Sequence, residues 1–250
     1  MEAADAMARA MKSDPGLLGV FTVQSIGTRD GAVVSNACLT AESLERDFPK
    51  DTSLFVNKGI LYYAVKDFAK ALEAFQKAEQ LNDDASETPG ALSSGFYYRY
   101  GAAADQVKNT ALAEEKLRKS AQLDPANPDP LNHLAYMWAE QGVRLDEALP
   151  LSEKTLRLEP LNPAFLDTRG WIYFRMGKHD LAVTDLLMAA TVMPDDATIL
   201  EHLGDALHAA GRLEEAEDAY RMAAEFEDEN LAAVKEKLES VREALRRAGT

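Results

Sequence analysis

Small and apolar residues return along this chain at a fixed interval. Alanine stands at Ala3, Ala37, Ala71, Ala113, Ala148, Ala182 and Ala216, in steps of 34, 34, 42, 35, 34 and 34 residues. A second series runs out of phase with the first, at Gly59, Gly101, Ala135, Gly170 and Gly204. Helix breakers mark the joints: Pro15, Pro49, Pro125, Pro160 and Pro194. Each interval has room for two helices of about 12–15 residues and two short turns. This period predicts a solenoid of helix pairs, each unit burying the apolar face of the next, with a concave surface offered to a partner.

The small residues have a packing reason. Glycine inside a helix costs about 1 kcal/mol relative to alanine, so its recurrence points to a steric demand where two helices cross closely. The expected crossings are Gly59 with Ala71, Gly170 with Ala182, and Gly204 with Ala216, with Asp185 on the outer face. Gly142, Gly177 and Gly211 suit left-handed helix ends. Asn127-Pro128 and Asn162-Pro163 read as an N-cap followed by proline at the first helical position.

The unit Leu166, Gly170, Tyr173, Gly177, Ala182, Leu186, Ala189, Pro194 resembles a tetratricopeptide repeat. The next unit places Leu200, Gly204, Leu207, Gly211, Ala216, Tyr220 and Ala223 alike, and an earlier one has Phe55, Gly59, Tyr62, Phe68, Ala71, Phe75 and Ala78. The likeness is specific over 128–230 and good over 52–85. It is looser over 94–127, where Lys108 replaces the turn glycine, and over 18–51, where Ser25 stands at the small-residue position. The resemblance implies an all-α, right-handed superhelical solenoid of antiparallel helix pairs, with first helices lining a groove and second helices outside.

The expected divisions are a truncated repeat's second helix at 1–17, a divergent repeat at 18–51, repeats at 52–85 and 94–127 flanking an insertion at 86–93, repeats at 128–162, 163–196 and 197–230, and a capping helix at 231–250. Ala3, Met7, Ala10 and Pro15 match Ala182, Leu186, Ala189 and Pro194, so the chain starts inside a repeat and is expected to be a fragment of a longer protein. At the other end Leu231, Val234, Leu238, Val241 and Leu245 form one apolar stripe, read as a cap over the last repeat or, alternatively, a dimer seam. Thr88-Pro89 predicts a helix running on through 91–105, longer than its neighbours, with Tyr97 and Tyr100 in the core and Tyr98 pointing elsewhere.

Helical spacing places particular side chains on the groove. These are Tyr63 at 52–64, Tyr98 and Arg99 at 94–106, Asn132 and Tyr136 at 128–140, and Asp167, Trp171, Phe174 and Arg175 at 163–175. Glu201, Asp205 and His208 follow at 197–209, with His202 beside them. The groove is therefore expected to be aromatic in the middle and acidic at one end, with Arg99 and Arg175 as anion contacts. The alternative is that Tyr136 and Trp171 pack between first helices as core. Some relatives clamp a C-terminal carboxylate with lysines and asparagines; only Asn57 and Arg99 suit that role here. The segments LNHLAYMWAEQG and FLDTRGWIYFRMGKHD resemble bacterial arrays of envelope assembly and secretion systems.

Composition narrows the chemistry. A net charge of −15 and the lack of a basic run interleaved with aromatics oppose nucleic-acid binding. The acidity reads as a solvated face or as a match to a basic partner. No run approaches 18 apolar residues, so no membrane insertion is expected. The compartment, whether bacterial periplasm and envelope or cytoplasm, is not legible. Cys38 is the single cysteine and reads as a small buried residue. Glu201, Asp205 and His208 share one helical face at metal-ligand spacing, but no second helix offers a clear ligand, so no metal and no cofactor is expected. The familiar catalytic frames are absent, and no catalytic residue is assigned. The expected role is a monomeric scaffold binding a protein or peptide segment. The alternatives are an accessory region of a larger enzyme and a metal- or small-molecule-responsive sensor.

Overall fold

The computed structural model describes residues 31–84, 92–226 and 230–248. All their regular structure is α-helical, with no strand among the described residues. The expectations for 1–17, for Ser25 and for Thr88-Pro89 lie outside them. Two compact units divide the chain, residues 1–125 and 126–250. The first contains α1 (Gly31–Glu45), α2 (Thr52–Ala64), α3 (Phe68–Asp84), α4 (Ser94–Gln106) and α5 (Thr110–Leu123). The second contains α6 (Asp129–Gln141), α7 (Leu145–Leu158), α8 (Pro163–Arg175), α9 (His179–Val192), α10 (Ala197–Ala209), α11 (Leu213–Ala223) and α12 (Leu231–Ala248). Within each unit, helices consecutive in the chain pack against one another, and alternate first helices also touch: α2 with α4, α6 with α8, α8 with α10.

Local chemistry starts and stops these helices. Asp51 accepts from the Ser53 and Leu54 amides, Ser93 from Phe96, and Asp196 from Ile199, satisfying donors that the first helical turn leaves free. Asn162 accepts from the Ala164 amide at 3.0 Å with Pro163 in the first turn, as predicted. Asn127 makes the same bond to Asp129 at 3.0 Å, although Pro128 is itself the cap residue there. Gly142, Gly177 and Gly211 take left-handed φ values of 66°, 73° and 76°. Lys66 and Lys108, at φ 60°, hold the corresponding turn without glycine. The helix carrying the tyrosines begins at Ser94 and is 13 residues long, so the predicted extra length is absent. Its cap explains this: the Ser93 hydroxyl takes the Phe96 amide.

The alanine series is the innermost rung of each helix pair. Ala37, Ala71, Ala113, Ala148, Ala182 and Ala216 are completely covered. Gly170 meets Ala182, as expected, with the alanine carbonyl 3.3 Å from its Cβ position, but a large side chain one turn further on lies closer still at each glycine. A Cβ on Gly59, Gly101, Gly170 or Gly204 falls within 3 Å of Phe75, Leu117, Leu186 or Tyr220, the residue four places beyond each alanine. One helical turn separates the alanine from the large side chain that lies over the glycine. Where the rung is Ala135, the corresponding second-helix position is the smaller, fully buried Ser152.

Asp185 is a second correction. It is buried, not on an outer face, and takes a bidentate pair from Arg169 at 2.6 and 2.8 Å. Similar cross-helix pairs occur in the first unit, Lys58 with Glu45 and Lys116 with Glu79. Cys38 is buried, and burial raises its thiol pKa. Tyr97 and Tyr100 are buried, as expected, together with Phe96, while Tyr98 is half-buried. At the far end Val234, Leu238 and Val241 of α12 join the core that holds Ala219, Tyr220 and Ala223 of α11.

Candidate functional site

Three first helices of the second unit, α6, α8 and α10, bring most of the predicted groove residues together. On α8, Asp167, Trp171 and Phe174 follow at spacings of 4 and 3, hence along one face. Trp171 stacks on Phe174 (centroids 4.7 Å apart, 12° between planes) and on His202 of α10 (4.0 Å, 14°). Only 8% of Trp171 is exposed, and its indole N–H has no hydrogen-bond partner. Its ring therefore packs between α8 and α10, the arrangement of the core alternative, while Phe174 and Tyr136 remain half-buried.

His202, placed on the groove by the sequence beside Glu201 but not among the expected contact residues, is the centre of the cluster. Its Nδ1 lies 2.8 Å from Asp167 Oδ1, both residues are buried, and the Tyr136 ring centroid is 6.3 Å away. Burial opposes a charge on the imidazole, yet Asp167, with Glu140 and Asp205 farther off, raises its pKa above the ordinary value. The repeat spacing aligns Asp167 with Glu201, 34 positions on, whereas the bond forms to the next residue. The hint in the sequence was a histidine set directly beside Leu203 on an otherwise apolar flank.

Around this pair the remaining residues are tied down by the protein itself. Arg175 is exposed; it donates to the Glu140 carbonyl at 2.9 Å, and its guanidinium lies 5.9 Å from the Trp171 ring centre. A Cβ on Gly142 would sit 2.5 Å from that guanidinium, so glycine serves the approach as well as the turn. Glu201 and Asp205 are bridged by Lys237 of α12, at 2.7 Å to each, and Asp205 also accepts from the Tyr220 hydroxyl at 2.6 Å. Burial and Asp205 push the Tyr220 phenol up. His208 is exposed. Among the described residues no group of three or more His, Cys, Asp or Glu is placed to hold a metal ion.

Tyr63, Tyr98 and Arg99 belong to the first unit. Tyr63 is half-buried, edge-on to Phe68 at 5.3 Å. Arg99 is exposed and donates to the Gly95 carbonyl of its own helix at 3.1 Å.

The first helices of the second unit also enclose a recess of about 290 Å³, walled by Asn132, Tyr136, Asp167, Thr168, Asp196 and Ile199, with Met193 at its edge. Asn132 Oδ1 has no hydrogen-bond partner. Burial, with the charge of Glu140, raises the Tyr136 phenol. The lining thus combines an aromatic and aliphatic wall with hydrogen-bond acceptors.

Comparison with known proteins agrees with the fold. Tetratricopeptide repeat models match residues 53–85 and 168–230. A TPR repeat-containing protein of Pseudomonas aeruginosa is 36% identical over 102 residues, covering 41% of this chain and 17% of that protein. A small glutamine-rich tetratricopeptide repeat-containing protein of Mycosarcoma maydis is 33% identical over 93 residues, covering 35% and 26%. The chain thus spans only a minor part of the length of either relative. Among solved structures, a tetratricopeptide repeat protein from Parabacteroides merdae aligns with a TM-score of 0.69 at 19% identity, over 96% of this chain and 91% of that one. YrrB, described as a TPR protein with an unusual peptide-binding site, aligns at 0.61 and 17% identity, over 83% and 99%. At such identities these two establish the fold, and the matched models identify residues 53–85 and 168–230 as tetratricopeptide repeats.

Proposed function

We propose that the chain is an interaction scaffold that binds a polypeptide segment along α6, α8 and α10. The observation that carries this reading is the open recess on these helices, which joins a half-buried aromatic wall to hydrogen-bond acceptors, Asn132 Oδ1 among them without a partner. Mixed walls of this kind suit an extended peptide, whose side chains fill the pocket while its polar groups are matched. The peptide-binding site described for YrrB, which shares the fold, supports the same reading. The engagement of Glu201 and Asp205 by Lys237 disfavours a metal-responsive sensor. A role in bacterial envelope assembly or secretion is the finer form of this proposal, supported by the resemblance over 128–196; the Pseudomonas relative supports only its bacterial part.

The test is site-specific photo-crosslinking in cells that express the chain. A benzophenone side chain in place of Tyr136 or Arg175 should yield covalent adducts with one polypeptide, identified by mass spectrometry. The same group in place of Lys154, exposed on α7, should not. Adducts from Lys154 alone, or none from either first-helix position, would remove the site from this face.

A further inference from the structure

We propose that the recess on α6, α8 and α10 is a subsite for a basic side chain, lysine or arginine, of the bound polypeptide. This rests on the peptide-binding reading and gives it a specificity.

The polar lining is made of acceptors. Asn132 Oδ1 is unpartnered. Asp196 enters no ion pair among the described residues and accepts from the Ile199 amide, while Asp167 already has His202 as its partner on one oxygen. The Thr168 hydroxyl, in the same lining, donates to the Ala164 carbonyl at 2.9 Å. A peptide carboxylate would meet Asp196 and Asp167 with no lysine or arginine in the lining to hold it. An aliphatic side chain would leave the acceptors without donors. A lysine or arginine supplies what is missing, with its methylene stem along Met193, Ile199 and the Tyr136 ring and its cationic head among the oxygens.

The chain itself contains the same recognition one repeat further on. Glu201 and Asp205, one turn apart on α10, hold the ammonium of Lys237 at 2.7 Å from each. Glu201 aligns with Asp167 across the 34-residue repeat. On α10 the capping helix delivers the lysine; the lining of the recess contains no lysine or arginine. The net charge of −15 adds a long-range field of the right sign for a basic segment.

A positional-scanning library of decapeptides, acetylated and amidated to remove the terminal charges, tests this on the full chain. The expected result is selection of lysine or arginine over norleucine and glutamate at one position by about tenfold or more, weakening as salt is raised. Asp196→Asn retains an N-cap oxygen but loses the charge. It should cut binding of the selected peptide by about tenfold, yet leave its lysine-to-norleucine form unchanged, with an unaltered melting curve. Asn132→Leu should act in the same direction. Peptides that crosslink to position 136 without a basic preference would overturn the subsite and leave the peptide groove standing. Retention of no peptide would overturn both. Undiminished lysine selection by Asp196→Asn and Asn132→Leu, or equal displacement by free spermine, would also overturn the assignment.

Discussion

Gly204→Ala sets two effects against each other, and the structure decides the sign. Helix propensity alone favours the substitution by about 1 kcal/mol. The added Cβ, however, would lie 2.5 Å from Tyr220 Cε1 and 2.6 Å from Cδ1, where ordinary contact begins at 3.4 Å. The ring cannot step aside freely. Tyr220 is 1% exposed, and its hydroxyl is held by Asp205 at 2.6 Å. Overpacking a filled core costs about 1–3 kcal/mol, and loosening a hydrogen bond to a charged group adds to that. The net expectation is a loss of about 1–2 kcal/mol after the helix gain is subtracted. Both tryptophans, Trp138 and Trp171, are buried in the second unit, so their fluorescence during urea unfolding reports on the affected part. With an m-value of about 1–3 kcal/mol per molar, the midpoint should fall by roughly 0.5–1 M at constant m. A midpoint that rises or stays in place would refute the close-crossing account of the glycine series.

The His202–Asp167 pair should give stability a definite pH dependence. The folded pKa of His202 lies above 6.5, so the pair's contribution is fully present below about pH 6.5 and is lost as pH rises through the folded value. His202→Gln should flatten that part of the stability–pH profile, and identical profiles for both chains would refute the coupling. Trp171→Ala should lower stability by roughly 3–5 kcal/mol, because the indole is packed between Phe174 and His202. Unfolding and peptide affinity measured on the same variant separate packing from contact; an unchanged urea midpoint would show that the ring is not core. Removing residues 231–250 should expose the apolar side of α11 and free Glu201 and Asp205 from Lys237, giving a lower melting temperature and aggregation. A truncated chain that stays monodisperse with unaltered melting would refute the covering role of α12.

Sequence periodicity by itself determined the helix pairs, their turns and the covered alanines. Those features depend on which residue type a local position tolerates: no Cβ at a left-handed turn, a small side chain at a crossing, an oxygen at a cap. Tertiary structure alone decided the partners. Gly170 lies under Leu186 as well as beside Ala182, because one helical turn sets the large side chain above the small one. Asp185 reads as a surface residue until Arg169 of the preceding helix reaches it. Asp167 meets His202, the neighbour of its repeat equivalent Glu201, because the bond across adjacent first helices depends on side-chain direction as well as repeat number. The recess follows the same rule: helical spacing placed Asn132, Tyr136 and Asp167 on the groove but not Asp196, and their convergence on one space depends on how three helices pack.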